Sequence, residues 1–282
     1  MKASELRLQY KMENNPLKYS PLPKTLKLKD TGETVKYIYY ERNETGKMLP
    51  KTGEKPIFKD QETEEFFIKK DPEEGAEDQN LQVEAFISLL TKGVLHSSDI
   101  IKINGEYFSK KIDLTKTEIP NKGELEAELF LLSYLFSDWD KKVPNTNMAM
   151  EKSGEFAHFD YGKGFTNMNK TSRKDRLQHI GKYREPQGWG RRIKTAVEML
   201  GIPIRGKNSE AKMELLQKTA QILENLKDDN FYRSILKHSE LDIFNKRFNF
   251  LNEKPQEERE DELRIILEDK CKSLLKLINE NK

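Results

Sequence analysis

Two aspartates and two asparagines lie close together in the middle of the 282-residue chain, and a third aspartate follows them. Asp138 and Asp140 come after a strongly apolar stretch, and a polar turn then brings Asn145 and Asn147. A short apolar run leads from there to Asp160. Magnesium prefers carboxylate and amide oxygens, and phosphoryl transfer needs a carboxylate that accepts the proton of the acceptor hydroxyl. Such residues also occur as ordinary caps and turns, but their combination favours magnesium-dependent chemistry on a phosphate-rich nucleotide.

The segment NMAMEKSGEFAHFDYG resembles the hairpin of the protein-kinase superfamily that joins the catalytic-loop asparagine to the Asp-Phe-Gly motif. Asn147 and Asp160 are thirteen positions apart, which is the usual spacing in that family. The resemblance implies that Asn147 and Asp160 bind magnesium and that Asp140 is the catalytic base. Tyr161 stands where the family has phenylalanine.

The candidate catalytic loop departs from the family pattern. Asp140 stands seven positions before Asn147 but five before Asn145, and five is the family spacing. Either the loop is two residues longer here or Asn145 is the metal ligand. We prefer Asn147 because the downstream hairpin then aligns without a gap. Asp138 and Trp139 replace the usual histidine and arginine, so the segment is more similar to atypical kinases, including lipid-kinase-like and bacterial effector kinases, and Asp138 is an alternative base.

Two further residues that the resemblance requires precede this segment. The sequence FFIKK is similar to the Val-Ala-Ile-Lys strand and implies that Lys69 binds the α- and β-phosphates of ATP, with Lys70 as the alternative. Glu84 lies in the apolar run LQVEAFISLL, where an unpaired charge is costly to desolvate. We therefore expect an ion pair between Glu84 and Lys69. Glu77 is the less suitable alternative because its surroundings are acidic.

The other nucleotide contacts have weaker signals. The segment EYFSKKI, at 106–112, occupies the position of the hinge that reads adenine through backbone groups, which implies Ser109 and Lys110 as nucleotide-binding residues. No Gly-x-Gly-x-x-Gly motif is present, and only Gly46 and Gly53 flank the sequence KMLPKT. Candidate phosphate contacts near it are Lys47, Lys51 and Lys55.

A basic segment follows the candidate metal motif. Its lysines and arginines favour phosphate groups, which suggests a phosphoinositide substrate, an acidic or phosphorylated protein, or a soluble polyphosphate activator. A plain solvated surface is the simplest alternative. Some bacterial effector kinases that this sequence resembles are activated by inositol hexakisphosphate, which makes that molecule a candidate activator. The candidate anion-binding residues are Lys163, Lys170, Arg173, Lys174, Arg176, Lys182, Arg184, Arg191 and Arg192.

The elements that position these residues predict an α+β fold. β-Branched and aromatic runs surround one apolar helix in the first part, with Asn104 and Gly105 as a hairpin turn, whereas later segments have helical periodicity. Predicted strands are TVKYIYYER, KPIFKD, EEFFIKKD, DIIKIN and EYFSKKIDL; predicted later helices are GELEAELFLLSYLF, RRIKTAVEMLG, SEAKMELLQKTAQILENLKDD and EEREDELRIILEDKCKSLLKLINEN. The resemblance implies a bilobal protein-kinase-like fold, with a small antiparallel β-rich N-terminal lobe at 1–112 and a larger helical lobe at 113–282.

Composition excludes several classes of protein. Fifty basic and 48 acidic residues leave a formal charge of +2, which does not favour nucleic-acid binding through bulk charge. Cys271 is the sole cysteine, so an internal disulfide or a cysteine-built zinc site is excluded. We find no secretory signal and no stretch long enough to span a bilayer. We therefore expect a soluble protein of a reducing compartment, in the cytoplasm or, for a secreted effector, the host cytosol.

Together these observations predict an atypical kinase that uses ATP and Mg²⁺ to phosphorylate a protein hydroxyl. A phosphoinositide or inositol phosphate kinase is the second hypothesis, because FDYGKGF is similar to the corresponding segment of phosphoinositide kinases. A pseudokinase or a polyphosphate-binding module is the third. Some kinase-like proteins transfer the nucleotide part instead, and the sequence leaves that reaction open.

Overall fold

The structure is a computed structural model. It describes residues 26–42, 44–45, 48–71, 78–97, 99–112, 114–115, 128, 131–132, 134–136, 148–151, 156–158, 161–162, 164–165, 208–251 and 254–280. The candidate anion-binding lysines and arginines of the basic segment all lie outside these ranges. So do the candidate bases and magnesium ligands, which are Asp138, Asp140, Asn145, Asn147 and Asp160. Their roles stay predictions.

An antiparallel sheet of five strands forms the N-terminal part of the described fold. Its strands are β1 (Leu28–Arg42), β2 (Met48–Asp60), β3 (Phe66–Lys70), β4 (Ile100–Ile103) and β5 (Glu106–Lys110). They lie in the order β1-β2-β3-β5-β4. Each predicted strand coincides with one of these five, and the predicted α+β class is confirmed.

The turn between β4 and β5 is formed by Asn104 and Gly105. Their φ angles are 51° and 86°, the left-handed combination of a two-residue hairpin turn. Glycine adopts this conformation freely, and asparagine does so more readily than most residues. The predicted hairpin is confirmed, with Ile103 opposite Glu106.

Strands β1 and β2 form a longer hairpin than the sequence pattern indicates. β1 begins at Leu28, before the predicted strand TVKYIYYER, and β2 begins at Met48, before the predicted strand KPIFKD, so that it includes Pro50 and Gly53. Gly53 lies opposite Tyr37, and a Cβ atom there would come within 2.6 Å of the tyrosine ring. Gly53 is therefore a close-packing position of the sheet and does not lie in a phosphate-binding loop.

Helix α1 (Gln79–Leu90) follows β3 and confirms the predicted helix. On one side Leu81 and Ala85 pack on Ile100 and Tyr107 of the sheet. Residues on its other side belong to the main hydrophobic core, namely Val83, Phe86, Ile87, Leu89 and Leu90. Because each fully buried Leu, Ile or Phe side chain contributes about 1.5–3 kcal/mol, packing on two sides holds this helix firmly.

The C-terminal helices form most of the rest of the main core. They are α2 (Asn208–Lys227), α3 (Asp229–Ser239), a 3-10 helix (Lys246–Leu251) and α4 (Gln256–Glu280). α2 and α4 match predicted helices, whereas α3 is not predicted and RRIKTAVEMLG lies outside the described residues. α3 begins after Asp228, whose side chain accepts a 3.0 Å hydrogen bond from the backbone N–H of Phe231.

A second sheet of three strands lies between the two parts in the chain. Its strands, in spatial order, are β6 (Leu114–Thr115), β7 (Met148–Glu151) and β8 (Phe156–His158). Ala149 lies opposite Ala157 in the β7–β8 pair. The short hairpin predicted between the candidate asparagine and the Asp-Tyr-Gly motif is therefore confirmed.

The five-stranded sheet and the helices also meet directly. Tyr107 of β5 donates its hydroxyl to the carbonyl of Ser239 at 3.2 Å, and Lys102 of β4 pairs with Glu240 at 2.5 Å. Both contacts tie the end of α3 to the sheet. In the part of the chain that the structure describes, no helix is long and apolar enough to cross a bilayer.

Candidate nucleotide-binding site

Lys70 and Glu84 form an ion pair between β3 and α1. Lys70 Nζ lies 3.1 Å from Glu84 Oε1. The Glu84 side chain is 3% exposed and the Lys70 side chain 26% exposed. The acidic end of the pair is therefore buried, while the Lys70 side chain is partly exposed. An ammonium group has three hydrogens and can donate to more than one acceptor.

This pairing corrects the prediction, in which Lys69 is the partner of the helix glutamate. Lys69 Nζ instead lies 2.5 Å from Glu106 Oε1. Successive side chains of a strand point to opposite faces of the sheet. Lys70 is opposite Tyr107, which packs on α1, whereas Lys69 is opposite Phe108, which packs on the other face. Lys70, the alternative in the sequence, is therefore the lysine on the α1 face.

Lys55 of β2 adds a second lysine to this face. Ile57 lies opposite Ile68, and Lys55 and Lys70 each lie two residues further along the same face, where the two positive charges repel each other. Lys51 also lies in β2 and is exposed, while Lys47 lies outside the described residues. Two lysines, Lys55 and Lys70, therefore lie near each other on adjacent strands.

Burial disfavours the positive charge of Lys55, whereas Asp71 and the Tyr37 ring favour it. Its side chain is 19% exposed, its Nζ lies 3.6 Å from Asp71 Oδ2, and it stands 4.9 Å from the centre of the Tyr37 ring. Burial lowers the pKa of Lys55; Asp71 partly offsets this, and the charge of Lys70 lowers the pKa further. An anion bound between the two lysines would relieve both desolvation and repulsion.

The predicted adenine-reading residues lie within β5. Ser109 is opposite Ile68 of β3, and β5 is also paired with β4. The backbone of β5 is therefore hydrogen-bonded to a neighbouring strand on each side. Lys110 donates its backbone N–H to the carbonyl of Asp99 at 2.9 Å, and its side chain pairs with Glu65 at 2.6 Å. Ser109 and Lys110 therefore help to hold β5 in the sheet, and their role in nucleotide binding stays a prediction.

Tyr161, Gly162, Gly164 and Phe165, here called the motif loop, pack beneath α1. Tyr161 and Phe165 are almost completely buried in the main core. A Cβ atom on Gly164 would come within 2.5 Å of Ile87 Cδ1. The absence of a side chain at this position thus lets the loop approach the helix that carries the ion pair.

Phe165 fixes the motif loop by contacts with several elements. Its φ is +62°, which is unusual for an aromatic residue. Its backbone N–H donates to the carbonyl of Phe136 at 2.5 Å. Its ring centre lies 6.1 Å from that of Phe86, 5.9 Å from that of Phe136 and 5.2 Å from that of Phe248. These buried contacts compensate for the strained backbone.

Arg247 joins the motif loop to the start of α1, and the sequence gives no sign of this role. Its Nη1 donates to the carbonyl of Gly162 at 2.7 Å and to that of Gly164 at 3.4 Å. Its Nη2 donates to Asn80 Oδ1 at 2.6 Å. Burial lowers the pKa of the Arg247 side chain. A single arginine in the polar sequence NKRFN has no pattern that distinguishes it from a solvated one.

Lys270 of α4 is a second contact that sequence reasoning missed. Its Nζ donates to the carbonyls of Tyr134 at 2.8 Å and Leu135 at 3.0 Å. These carbonyls belong to helical residues shortly before the candidate catalytic loop. A signal was available, because Lys270 lies in the apolar stripe of α4 beside Leu267 and Leu274 and is 8% exposed.

The metal ligands of the candidate site are not among these residues. Within the described residues, no three histidine, cysteine, aspartate or glutamate side chains are arranged to hold a metal ion. The predicted ligands Asn147, Asp160 and Asn145 all lie in the undescribed part of the chain. Comparisons of the chain with protein-family models, with curated proteins and with solved structures give no match.

Proposed function

We propose that this protein is an ATP- and magnesium-dependent phosphotransferase of the kinase type, with a protein hydroxyl as acceptor. The observation that carries the proposal is the ion pair between Lys70 and Glu84. In protein kinases a lysine of the third strand pairs with a glutamate of the following helix, and phosphoryl transfer requires this pair. Here the strand is β3 and the helix is α1, which precedes β4 and β5 as in the expected order.

The lysines of the α1 face suit the phosphates of a nucleotide. Lys70 is held by a buried carboxylate and has a partly exposed side chain. Lys55 stands on the neighbouring strand with a charge that lacks full solvation. In the absence of a glycine-rich loop motif, these two side chains would supply the positive charge that the α- and β-phosphates need.

The remaining roles come from the resemblance to kinases. Asp160 and Asn147, or Asn145 in its place, would hold Mg²⁺, which neutralises phosphate charge when bound. Asp140, or alternatively Asp138, would orient the acceptor hydroxyl and accept its proton. The motif loop supports this assignment because it follows the motif aspartate in the chain and packs on α1, whose Glu84 pairs with the proposed phosphate-binding lysine.

Nucleotide binding is the first test of the proposal. The affinity of the full chain for the ATP analogue AMP-PNP would be measured by calorimetry, with and without Mg²⁺. Lys70→Met is expected to weaken binding about tenfold or more, since hydrogen bonds between charged groups are the strong ones. Lys69→Met is the matched control because it removes the same group from the other face of the same strand. Equal loss in both variants, or no binding by the wild type, would contradict the proposal.

The acceptor is tested separately with labelled ATP. Protein mixtures and phosphoinositide vesicles would be incubated with the wild type and with Asp160→Ala, with and without inositol hexakisphosphate. Label on protein that disappears in the variant supports a protein kinase, and label on lipid alone supports the phosphoinositide alternative. Mass spectrometry of the product distinguishes phosphoryl from nucleotidyl transfer. A stimulation by inositol hexakisphosphate would support the activator role of the basic segment.

A further inference from the structure

Arg247 connects two segments that the proposed function requires to be aligned. One segment is the motif loop, whose carbonyls at Gly162 and Gly164 accept hydrogen bonds from Arg247 Nη1. The other is the first turn of α1, where Asn80 Oδ1 accepts from Arg247 Nη2. Glu84 lies four positions further along that helix. One guanidinium group thus touches both the loop next to the candidate metal ligand and the helix that holds the phosphate-binding lysine.

The chemistry of arginine suits this connection. Its planar guanidinium group has donors that point in different directions, so one side chain can bind two segments at a fixed separation. The group is half-buried in the 3-10 helix region, and burial lowers the pKa of its side chain. Hydrogen bonds made by a charged, poorly hydrated donor are stronger than those of a solvated one.

We propose that Arg247 is a positioning residue that holds the motif loop, which follows Asp160 in the chain, in register with α1, which carries Glu84. This inference rests on the proposed function. It predicts that loss of Arg247 weakens the increase in nucleotide affinity caused by Mg²⁺ more than it weakens the affinity for magnesium-free nucleotide. Arg247 donates to the motif loop and to Asn80, whereas Lys70 pairs with Glu84, so we expect the affinity for magnesium-free nucleotide to depend on the Lys70–Glu84 pair more than on Arg247.

The test compares AMP-PNP affinity with and without Mg²⁺ in the full-length chain. Arg247→Met is expected to reduce the enhancement by Mg²⁺ about tenfold or more, with a smaller effect on magnesium-free affinity, because residues that position metal-binding segments contribute to metal affinity. Arg247→Lys keeps a charged donor for one carbonyl and is expected to recover part of the enhancement. A magnesium enhancement that is unchanged in Arg247→Met would overturn the inference.

Arg259→Met is the matched control for loss of a buried arginine. Arg259 donates from Nη1 to the carbonyl of Ile243 at 2.8 Å and from Nε to that of Lys254 at 3.2 Å, and its guanidinium lies 4.6 Å from the centre of the Phe244 ring. None of these partners belongs to the motif loop or to α1. The control is expected to lower stability while keeping the magnesium enhancement. An equal loss of enhancement in Arg259→Met and Arg247→Met would show a general effect of stability and overturn the inference.

Hydrogen exchange separates this inference from the proposed function. In Arg247→Met, amide exchange is expected to rise in the motif loop and the first turn of α1 and to stay unchanged in the middle of α4. This readout needs no nucleotide, so it stands even if the wild type fails to bind AMP-PNP and the proposed function is wrong. Exchange that rises equally in all three regions, or in none, would overturn the role of Arg247.

Discussion

The side-chain amide of Asn225 in α2 donates a 3.0 Å hydrogen bond to the backbone carbonyl of Leu90, the last residue of α1. Asn225 is 2% exposed, and Gln221 donates to its Oδ1 at 3.0 Å. The last carbonyls of a helix have no partner within the helix. Asn225 therefore satisfies one of them inside the core and fixes the end of α1 that is farther from Arg247.

Asn225→Leu is expected to lower the free energy of unfolding by about 1–3 kcal/mol, because it leaves a buried carbonyl without this donor. Urea denaturation of the full chain measures the change. Lys227→Ala is the control in the same helix, since Lys227 forms an exposed pair with Glu224 and such pairs contribute about 0–1 kcal/mol. Equal effects in both variants would argue against the cap.

Lys70 and Glu84 are expected to stabilise the fold as a coupled pair. Removal of Lys70 by Lys70→Met leaves a carboxylate that is 3% exposed without this cation. The double variant Lys70→Met, Glu84→Leu should lose less stability than the sum of the single variants, with a coupling of about 1–3 kcal/mol. Chemical denaturation of all four proteins gives this value. Strict additivity would show that the 3.1 Å contact does not couple the strand to the helix.

Asp60 makes the free energy of unfolding depend on pH in the acidic range. Burial of its carboxylate raises the pKa, but hydrogen bonds from the side chain and backbone of Thr63 and from the backbone of Lys27 outweigh it and hold the pKa below 3.8. The carboxylate therefore contributes stability in full above pH 3.8, and this contribution is lost as the pH falls from there through the lower folded-state pKa.

The measurement is the free energy of unfolding of wild type and Asp60→Asn as the pH is lowered below 5. The wild type should lose stability relative to the variant in this range, because asparagine does not titrate. Asp30→Asn, at an exposed position that accepts from the backbone of Gly32, is the control. Parallel curves for wild type and Asp60→Asn would contradict the role of Asp60.

Gly164→Ala is expected to push the motif loop away from α1. The added methyl group would lie 2.5 Å from Ile87 Cδ1 and 3.0 Å from Val83 Cγ1. Overpacking of this kind costs about 1–3 kcal/mol, measured as a lower midpoint of urea denaturation. Ile87→Val removes the closest atom and should restore part of the loss in the double variant. A Gly164→Ala protein as stable as the wild type would show that the loop does not approach the helix this closely.

Local pattern was sufficient to predict most of the described elements. The strands, the Asn104–Gly105 turn and α1 follow from side-chain period and turn chemistry, which are properties of neighbouring residues. The choice between Lys69 and Lys70 was beyond this pattern, because a shift of one residue changes the face of the sheet. That choice is decided by β5, which lies some forty positions later and places Tyr107 under α1.

The contacts missed in the candidate site are those between distant segments. Arg247 is separated from Asn80 by 167 positions, and Lys270 from Tyr134 by 136. Neither the arginine nor the carbonyls it binds have a residue-type signal, since a backbone acceptor is present at every position. The sequence pattern also did not predict α3, whose C-terminal end contacts the sheet through Ser239 and Glu240. Such contacts follow from the packing of whole elements.

Because α1 packs against the sheet on one side and the helices on the other, it also limits where the chain can be truncated. A fragment that ends at residue 112 would retain the sheet on one side of α1 but would lack every C-terminal helix that covers Phe86, Ile87 and Leu90. These side chains would then face water as a continuous apolar surface, which favours aggregation. A rotation of α1 away from this position would also expose apolar side chains, because it would open the core on the side of α3. Control of this protein by helix rotation would therefore require the C-terminal helices to move with it.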